Sequence, residues 1–285
     1  MFRILLFLAT NLAIVVVLGV FLNVLLPLFG IQLTDTAYLL VFAFVFGMGG
    51  SFISLFLSRW LAKRSAGAKV LTQANTPIER WLVQTVARLA RDANIPVPEI
   101  AIFPSDAINA FATGASKKNS LVAVSSGMLR HMSQDEQEAV LAHEIAHISN
   151  GDMVTMALLQ GILNTFVIFL ARVMAQAISS AMSRGSDQGL GRLAYFGVVI
   201  VLEIALGILA SILTMWFSRQ REFRADAGSA KLVGASKMIA ALERLKLSSE
   251  PDLTGQLVAF GIQGKRSAMF ASHPSLDSRI AALRR

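Results

Sequence analysis

Four long apolar runs limit what this 285-residue chain can fold into. They cover about residues 4–29, 37–61, 153–182 and 193–217. A helix needs about 20 mainly apolar residues to cross the hydrocarbon core of a bilayer, and each run is that long. Hydrophobic residues make up 54% of the chain and charged residues 15%, whereas soluble domains average about 45–50% and about 25%. We therefore predict a mainly α-helical integral membrane protein with four transmembrane helices.

The first run has a competing interpretation as a cleaved signal peptide. Such a peptide has an apolar core of roughly 7–15 residues, followed by a small-residue cleavage pattern. The run at 4–29 is longer, and no such pattern follows it. We interpret it as a permanent span. Residues 1–62 are then an N-terminal transmembrane hairpin, and residues 153–218 are a second one.

The distribution of lysine and arginine predicts the orientation. The connector at 30–36 contains neither residue, whereas 59–152 and 219–285 contain most of them. Because positively charged flanks stay on the cytoplasmic side, both soluble stretches and both termini are predicted to be cytoplasmic, with Arg184 and Arg192 as minor exceptions. The basic residues are spread along the chain. The net charge of +8 therefore indicates attraction to an anionic lipid bilayer and no binding of nucleic acid.

The soluble stretches, 63–152 and 219–285, combine helical and β patterns. A helix is predicted from Pro77 to about residue 94, with Thr76 and Glu79 forming a capping box. A second helix begins at about Gln134. Between the two helices lie short β-type segments, near residues 99–103, 109–113 and 121–125. We predict one α+β domain with a small sheet, built from both stretches.

His143, Glu144 and His147 form an H-E-x-x-H motif near the end of the second helix. Two histidines four residues apart share one helix face and can bind one zinc ion, while the glutamate can act as general base toward a water on the metal. A catalytic zinc needs three protein ligands and one open position. One metalloprotease class has a third histidine six residues beyond the motif, but that position is Met153, which excludes the class.

Glu222 is the predicted third ligand. It begins an E-x-x-x-D pattern that ends at Asp226, and a carboxylate in that position often orients a ligand histidine from behind. His147 lies six residues before the third apolar run, and Glu222 lies five residues after the fourth. An antiparallel hairpin would therefore bring both residues to one membrane surface. This arrangement predicts a zinc site for metal-assisted peptide hydrolysis.

Three further sets of residues are candidates for roles around this site. His273, next to a helix start, could donate to the tetrahedral intermediate, although a lone histidine is as often structural. The segment Asn109-Ala110-Phe111-Ala112 could be an edge strand that pairs with the substrate backbone, or an ordinary interior strand. Arg172 and Glu203 each lie about ten residues from the turn of the second hairpin. We expect them to form a structural ion pair rather than an ion pathway.

Taken together, these motifs resemble those of the HtpX-type membrane zinc endopeptidases, which are distant relatives of the prenyl-protein CAAX endopeptidases. The resemblance covers essentially the whole chain. Besides the spans and the residues from His143 to His147, it rests on Asn109-Ala110-Phe111-Ala112, Ser218-Arg219, Glu222, Ala225-Asp226, His273-Pro274-Ser275 and Arg279-Ile280.

The resemblance implies a bacterial inner-membrane enzyme that degrades misfolded or damaged membrane proteins under stress. It also implies a gluzincin-like catalytic domain in the cytoplasm, with one zinc on His143, His147 and Glu222 and with Glu144 as the catalytic residue. Expected partners are membrane-protein or unfolded polypeptide substrates and the lipid bilayer. Two alternatives remain open, a four-span transporter or channel with a structural zinc site, and an inactive scaffold that binds zinc without turnover.

Overall fold

The computed structural model describes residues 35–183, 190–248 and 273–285. In chain order these residues form α1 (Asp35–Ala66), β1 (Lys69–Val70), α2 (Pro77–Asp92), β2 (Glu99–Phe103), β3 (Ala110–Ser116), β4 (Asn119–Ser125), α3 (Ser126–His131), α4 (Gln134–Asn150), α5 (Asp152–Ser183), α6 (Arg192–Val233), α7 (Ala235–Leu247) and α8 (Leu276–Leu283). The chain divides into two compact units. One consists of the described residues up to Ser54 with those between Ala157 and Thr214, and the other of Leu55–Met156 with the described residues from Met215 onward.

Three described helices are long and apolar enough to cross a membrane. By length and composition, the candidate spans lie within Ala37–Ala66, Asp152–Met182 and Arg192–Val233. They correspond to the second, third and fourth apolar runs, and the mainly helical prediction is confirmed for them. The first predicted span lies outside the described residues. Helix α6 continues without a break beyond its apolar run, because it contains no proline, and it ends before Gly234, where φ is 93°.

Glycines bring two membrane helices into close contact in the first unit. A Cβ on Gly47 of α1 would lie 2.5 Å from the backbone nitrogen of Thr165 in α5, and a Cβ on Gly161 would lie 3.2 Å from the Cα of Met48. Small residues of this kind let helix backbones approach where the surrounding lipid supplies no hydrophobic driving force. The backbones of α1 and α5 therefore pack closely together, which larger side chains at these two glycines would prevent.

Arg172 and Glu203 form the predicted ion pair. The Arg172 guanidinium nitrogen lies 2.6 Å from a Glu203 carboxylate oxygen, which joins α5 to α6. The same guanidinium lies 4.9 Å from the centre of the Phe42 ring in α1. Charged groups inside a membrane are costly unless they are paired. The expectation that these two side chains pair with each other is thus confirmed.

The second unit contains a four-stranded mixed sheet in the order β1-β2-β4-β3. Strands β2 and β4 are parallel, and the pairs β1–β2 and β3–β4 are antiparallel. The predicted small sheet is therefore present, with β3 and β4 forming a β-hairpin in which β3 lies at one edge of the sheet. The strand β1 was not predicted, because a two-residue strand carries no periodic signal.

The sheet separates two apolar clusters. Val122 and Val124 of β4 pack into the larger cluster, together with residues of α2, α4 and α7. Leu121 and Ala123 pack into a smaller cluster that includes Ala62 near the end of α1. Successive side chains of a strand point to opposite faces, so β4 is buried on both. Helix α4 is thereby held against one face of a fully covered sheet.

Local signals set the ends of the two helices that were predicted in this unit. Helix α2 begins with the predicted capping box of Thr76 and Glu79. Helix α4 begins with a second box, in which Ser133 accepts from the Glu136 backbone N–H and the Glu136 side chain accepts in return. It ends at Gly151, whose φ of 70° is left-handed. Because glycine adopts this conformation without strain, the chain can reverse immediately after α4.

Replacing Gly47 by alanine tests the close contact between α1 and α5. The new methyl group would overlap backbone atoms of Thr165, which cannot rotate away, so we expect Gly47→Ala to destabilise the protein by about 1–3 kcal/mol. Gly50→Ala is the matched control, since a Cβ there meets no atom within 4 Å. Thermal unfolding in detergent should show a lower Tm for Gly47→Ala only. Equal effects of the two changes would contradict the close contact.

Candidate metal centre

Helix α4 carries both histidines of the motif on one face. The Nε2 atoms of His143 and His147 lie 3.1 Å apart, and the two rings meet edge to face with their centres 4.6 Å apart. Both residues are buried, and Glu144 between them is only 4% exposed. Because α4 is buried along nearly its whole second half, these side chains have little freedom to leave the site.

Glu222 reaches the two imidazoles from α6. Its Oε1 lies 3.4 Å from His147 Nε2, and its Oε2 lies 3.5 Å from His143 Nε2. Ligand atoms of all three residues lie within 4.8 Å of one another. The structure therefore brings together the three residues that the sequence proposed as ligands, although a membrane hairpin separates them along the chain.

Small side chains allow α6 to approach α4 at this point. A Cβ on Gly228 would lie 2.7 Å from the Cβ of Ala146. One residue further on, the Ser229 hydroxyl donates a buried hydrogen bond of 2.8 Å to the carbonyl oxygen of Ala139. The close approach and the hydrogen bond together fix the distance from which Glu222 reaches the histidines.

Each of the two histidines has a carboxylate behind it. Asp226 Oδ1 lies 2.9 Å from His143 Nδ1, and Asp152 Oδ2 lies 2.6 Å from His147 Nδ1. A carboxylate can only accept, so the hydrogen bond with Asp152 assigns the ring proton of His147 to Nδ1. We infer the same tautomer for His143 from the short distance of its Nδ1 to Asp226. This tautomer leaves Nε2 with its lone pair directed toward Glu222, as a metal ligand requires.

Arg279 holds the first of these carboxylates in place. Its Nε and a terminal nitrogen donate to the two oxygens of Asp226 at 2.8 and 2.6 Å, and the arginine is fully buried. A bidentate pair of this kind fixes both the position and the plane of the carboxylate. The sequence proposed Asp226 as an orienting residue, but it assigned no role to Arg279 or Asp152. The available signals were an arginine in a recognised motif and an acid directly after a helix-ending glycine.

The three donors fit a tetrahedral zinc ion. Ligand atoms bound at about 2.0–2.1 Å in tetrahedral geometry lie about 3.3 Å from one another. The two Nε2 atoms are 3.1 Å apart, and each lies 3.4 or 3.5 Å from a different oxygen of Glu222, so one ion could contact all three side chains. Both oxygens of Glu222 are buried and accept no hydrogen bond within the described part of the chain. A cation would satisfy these oxygens. Two histidines and one carboxylate also leave a fourth position open, as a catalytic site needs.

His273 lies beside the same carboxylate. Its Nδ1 is 2.9 Å from Glu222 Oε2, and it precedes α8, which Ser275 caps. Its Nε2 is buried and has no hydrogen-bond partner among the described residues. His131, the fourth histidine of the sequence, is exposed at the end of α3. The structure thus brings His273 into the cluster and leaves His131 outside it.

The predicted substrate segment begins beside the edge strand. Asn109 is 1% exposed, and neither polar atom of its side chain has a hydrogen-bond partner among the described residues. The Asn109 backbone is held by Ser125, which exchanges hydrogen bonds of 2.9 and 3.1 Å with it. Ala110, Phe111 and Ala112 form the start of β3, which packs against α4. An edge strand therefore runs next to the helix that carries the motif.

The charges around His147 alter its proton affinity. Burial lowers the pKa of His147, but the negative charge and close contact of Glu222, the hydrogen bond to Asp152 and the charge of Glu144 outweigh it, and the pKa rises to about 9. Burial likewise lowers the pKa of His143, while Asp226 and Glu222 raise it, with a net increase. Without a bound metal, His143 and His147 therefore bind protons more strongly than an ordinary histidine does.

The raised pKa of His147 predicts that zinc competes with a proton. Below about 9 the metal-free ring is protonated, and a metal ligand must be neutral. We expect zinc affinity to rise from about pH 7 toward pH 9 and each binding event to release protons. Chelator competition at several pH values, with calorimetry in buffers of different ionisation enthalpy, measures both effects. A zinc affinity that does not change with pH would contradict this assignment.

Replacing Gly228 by alanine should weaken metal binding. The added methyl group would overlap Ala146 and push α6 away from α4. If overpacking costs the assembled site about 1–3 kcal/mol, the Kd for zinc rises about 5- to 150-fold. Gly207→Ala is the matched control on the same helix, since a Cβ there meets no atom within 4 Å. Equal zinc affinity for both variants would show that this contact does not set the ligand distance.

Several known proteins are similar to this chain in sequence or in fold. Protease HtpX of Aeromonas hydrophila subsp. hydrophila is 58% identical to the chain, over 99% of each protein. Protease HtpX of Pasteurella multocida is 60% identical, over 99% of this chain and 98% of that protein. The crystal structure of S. mikatae Ste24p is similar with a TM-score of 0.65 and 20% identity, over 98% of this chain and 64% of that chain. The Ste24p likeness spans less than two thirds of that protein and, at this identity, shows the fold alone.

The match to a peptidase family covers most of the chain. It includes residues 78–285, which contain the two histidines, Glu144 and Glu222. The resemblance inferred from the motifs is confirmed by this match and by the high identity of the full-length relatives. The chain therefore belongs to peptidase family M48.

Proposed function

We propose that this protein is a zinc endopeptidase of the bacterial inner membrane that hydrolyses misfolded or damaged membrane proteins at its cytoplasmic face. Family membership already makes the chain a membrane-bound metalloprotease. The observation that carries the finer proposal is the cluster of His143, His147 and Glu222 ligand atoms within 4.8 Å of one another, with Glu144 beside it on α4.

The catalytic roles follow from the chemistry of these side chains. Zinc held by His143, His147 and Glu222 would polarise the scissile carbonyl and lower the pKa of the attacking water toward neutrality. The Glu144 carboxylate takes the proton from that water and passes it to the leaving amine. Burial of Glu144, at 4% exposure, keeps bulk water from competing for this proton.

His273 is the proposed donor to the tetrahedral intermediate. With its Nδ1 beside Glu222 at 2.9 Å, the ring is oriented and its Nε2 remains available. That atom is buried and finds no hydrogen-bond partner in the described residues. A preorganised donor beside the reacting carbonyl stabilises negative charge most strongly where water is excluded.

We assign substrate binding to Asn109, Ala110, Phe111 and Ala112. An extended peptide can add to a sheet edge through main-chain hydrogen bonds, which require little sequence preference. The position of β3 at the edge supports this role. The unpartnered carboxamide of Asn109 supports it too, because a buried amide without a partner is costly and a peptide backbone offers both a donor and an acceptor.

The proposed cytoplasmic location of the site rests on the distribution of lysine and arginine along the chain. Lysine and arginine are concentrated in residues 59–152 and 219–285, and such stretches are retained in the cytoplasm. Membrane-protein or unfolded polypeptide substrates and the lipid bilayer are the partners that fit a peptidase site on a multi-pass chain.

The transporter or channel alternative is not supported. Family membership points to peptide hydrolysis, and the 2.6 Å contact between Arg172 and Glu203 neutralises the two deepest charges by pairing them. A pair that satisfies itself between two packed helices supports a structural role rather than an ion pathway. The inactive-scaffold alternative is disfavoured because Glu144 is present next to the ligands.

The Glu144→Gln variant tests the proposed activity. Glutamine keeps the size of the side chain but cannot accept the proton, so cleavage of casein or of an unfolded membrane protein should fall by about 10²–10⁴-fold. Bound zinc should stay at one per chain. Glu136→Gln is the matched control on the same helix, because glutamine can still complete the capping box there. Cleavage by Glu144→Gln at the wild-type rate, or wild-type cleavage that survives removal of zinc by a chelator, would refute the proposal.

A further inference from the structure

A second orienting carboxylate, Asp152, lies behind His147. Asp152 is 1% exposed, and its Oδ2 is 2.6 Å from His147 Nδ1. It comes from a different element than Asp226, because it is the first residue of α5, the helix whose apolar length is a candidate membrane span. One ligand histidine is thus held from the start of a membrane helix.

The turn after α4 places this carboxylate. Gly151 adopts a φ of 70°, and its N–H donates to the carbonyl oxygens of His147 and Ile148. The left-handed residue reverses the chain, so that Asp152 returns toward the ring of His147 rather than continuing past it. The carbonyl oxygen of His147 therefore stabilises the turn, and Asp152, which follows the turn, contacts the ring of His147.

An ordinary structural role does not account for the burial of Asp152. Acidic residues favour the first turn of a helix because they complement its dipole, but this benefit is about 0.3–1 kcal/mol and needs no burial. A buried carboxylate costs several kcal/mol unless it is paired. The Arg224 guanidinium lies 4.0 Å away and is 57% exposed, so it pairs only weakly. The 2.6 Å contact with His147 is the interaction that compensates for the burial.

We propose that Asp152 is a positioning residue for the metal centre, which fixes the Nδ1–H tautomer and the ring orientation of His147. The inference rests on the proposed zinc peptidase function and adds a residue to it. The two ligand histidines then have separate supports, with Asp226 braced by Arg279 and Asp152 braced by the α4–α5 turn. The orientation of His147 therefore depends on Asp152, with which α5 begins directly after the turn that ends α4.

Two substitutions separate orientation from simple structural support. In Asp152→Asn the amide N–H can donate to His147 Nδ1, which stabilises the tautomer that carries its proton on Nε2 and cannot bind a metal. In Asp152→Glu the carboxylate is retained on a longer side chain. We expect Asp152→Asn to raise the Kd for zinc by about 10–100-fold, and Asp152→Glu to recover part of that loss.

Three quantities other than activity are measured. The Kd for zinc is measured by chelator competition with the full-length protein in detergent, and the visible absorption of the Co²⁺-substituted protein reports the ligand field directly. The Tm of the metal-free protein reports structural damage. Asp35→Asn, which removes an acidic residue from the first turn of α1, is the control and should leave the zinc Kd and the Co²⁺ spectrum at their wild-type values.

A weakened zinc affinity and an altered Co²⁺ spectrum in Asp152→Asn, with a metal-free Tm like that of the wild type, would support the proposal. Unchanged affinity and spectrum would overturn it. A lower metal-free Tm without a change in the zinc Kd of the folded fraction would also overturn it, and so would a failure of Asp152→Glu to bind zinc better than Asp152→Asn. If the wild-type protein itself bound no zinc, the proposed function would fail. If the wild-type protein bound zinc and cleaved peptides, and Asp152→Asn had the same zinc Kd and Co²⁺ spectrum, only the inference about Asp152 would fail.

Discussion

The approach of Glu222 to two buried imidazoles is the interaction on which the site depends. A carboxylate at 1% exposure is stable only where positive charge or hydrogen-bond donors surround it. Here the Nε2 atoms of His143 and His147 lie at 3.5 and 3.4 Å. The two imidazoles supply the positive charge either as protonated rings, whose pKa is raised in this cluster, or by sharing a bound cation with the carboxylate.

Much of the second unit can be understood as support for that contact. The sheet and the larger apolar cluster hold α4 on one side, and Gly228 with Ser229 brings α6 close to it on another. Behind the ligands, Asp226 and Asp152 orient the two rings from separate elements. Because metal affinity depends on ligand positions to within tenths of an ångström, close packing and these buried hydrogen bonds act together.

Several features were readable from the sequence because their signals are local. The apolar runs give α1, α5 and α6 through their length, and the capping box at Thr76 gives the start of α2. The motif spacing places His143 and His147 on one face through the helical period alone. Other elements were missed. The strand β1 and the short helix α3 have no periodic pattern, since they are two and six residues long and form only because the rest of the domain packs against them.

The sequence by itself therefore determined the membrane character, the helical frame and the identity of the three ligand candidates, because composition, period and spacing are properties of short segments. Only the tertiary structure decided that β3 lies at the sheet edge, that Arg279 is buried against Asp226, and that Asp152 turns back onto His147. These are contacts between elements. They depend on strand order, on a left-handed residue at Gly151 and on the approach of α6 to α4, which no local pattern of residues encodes.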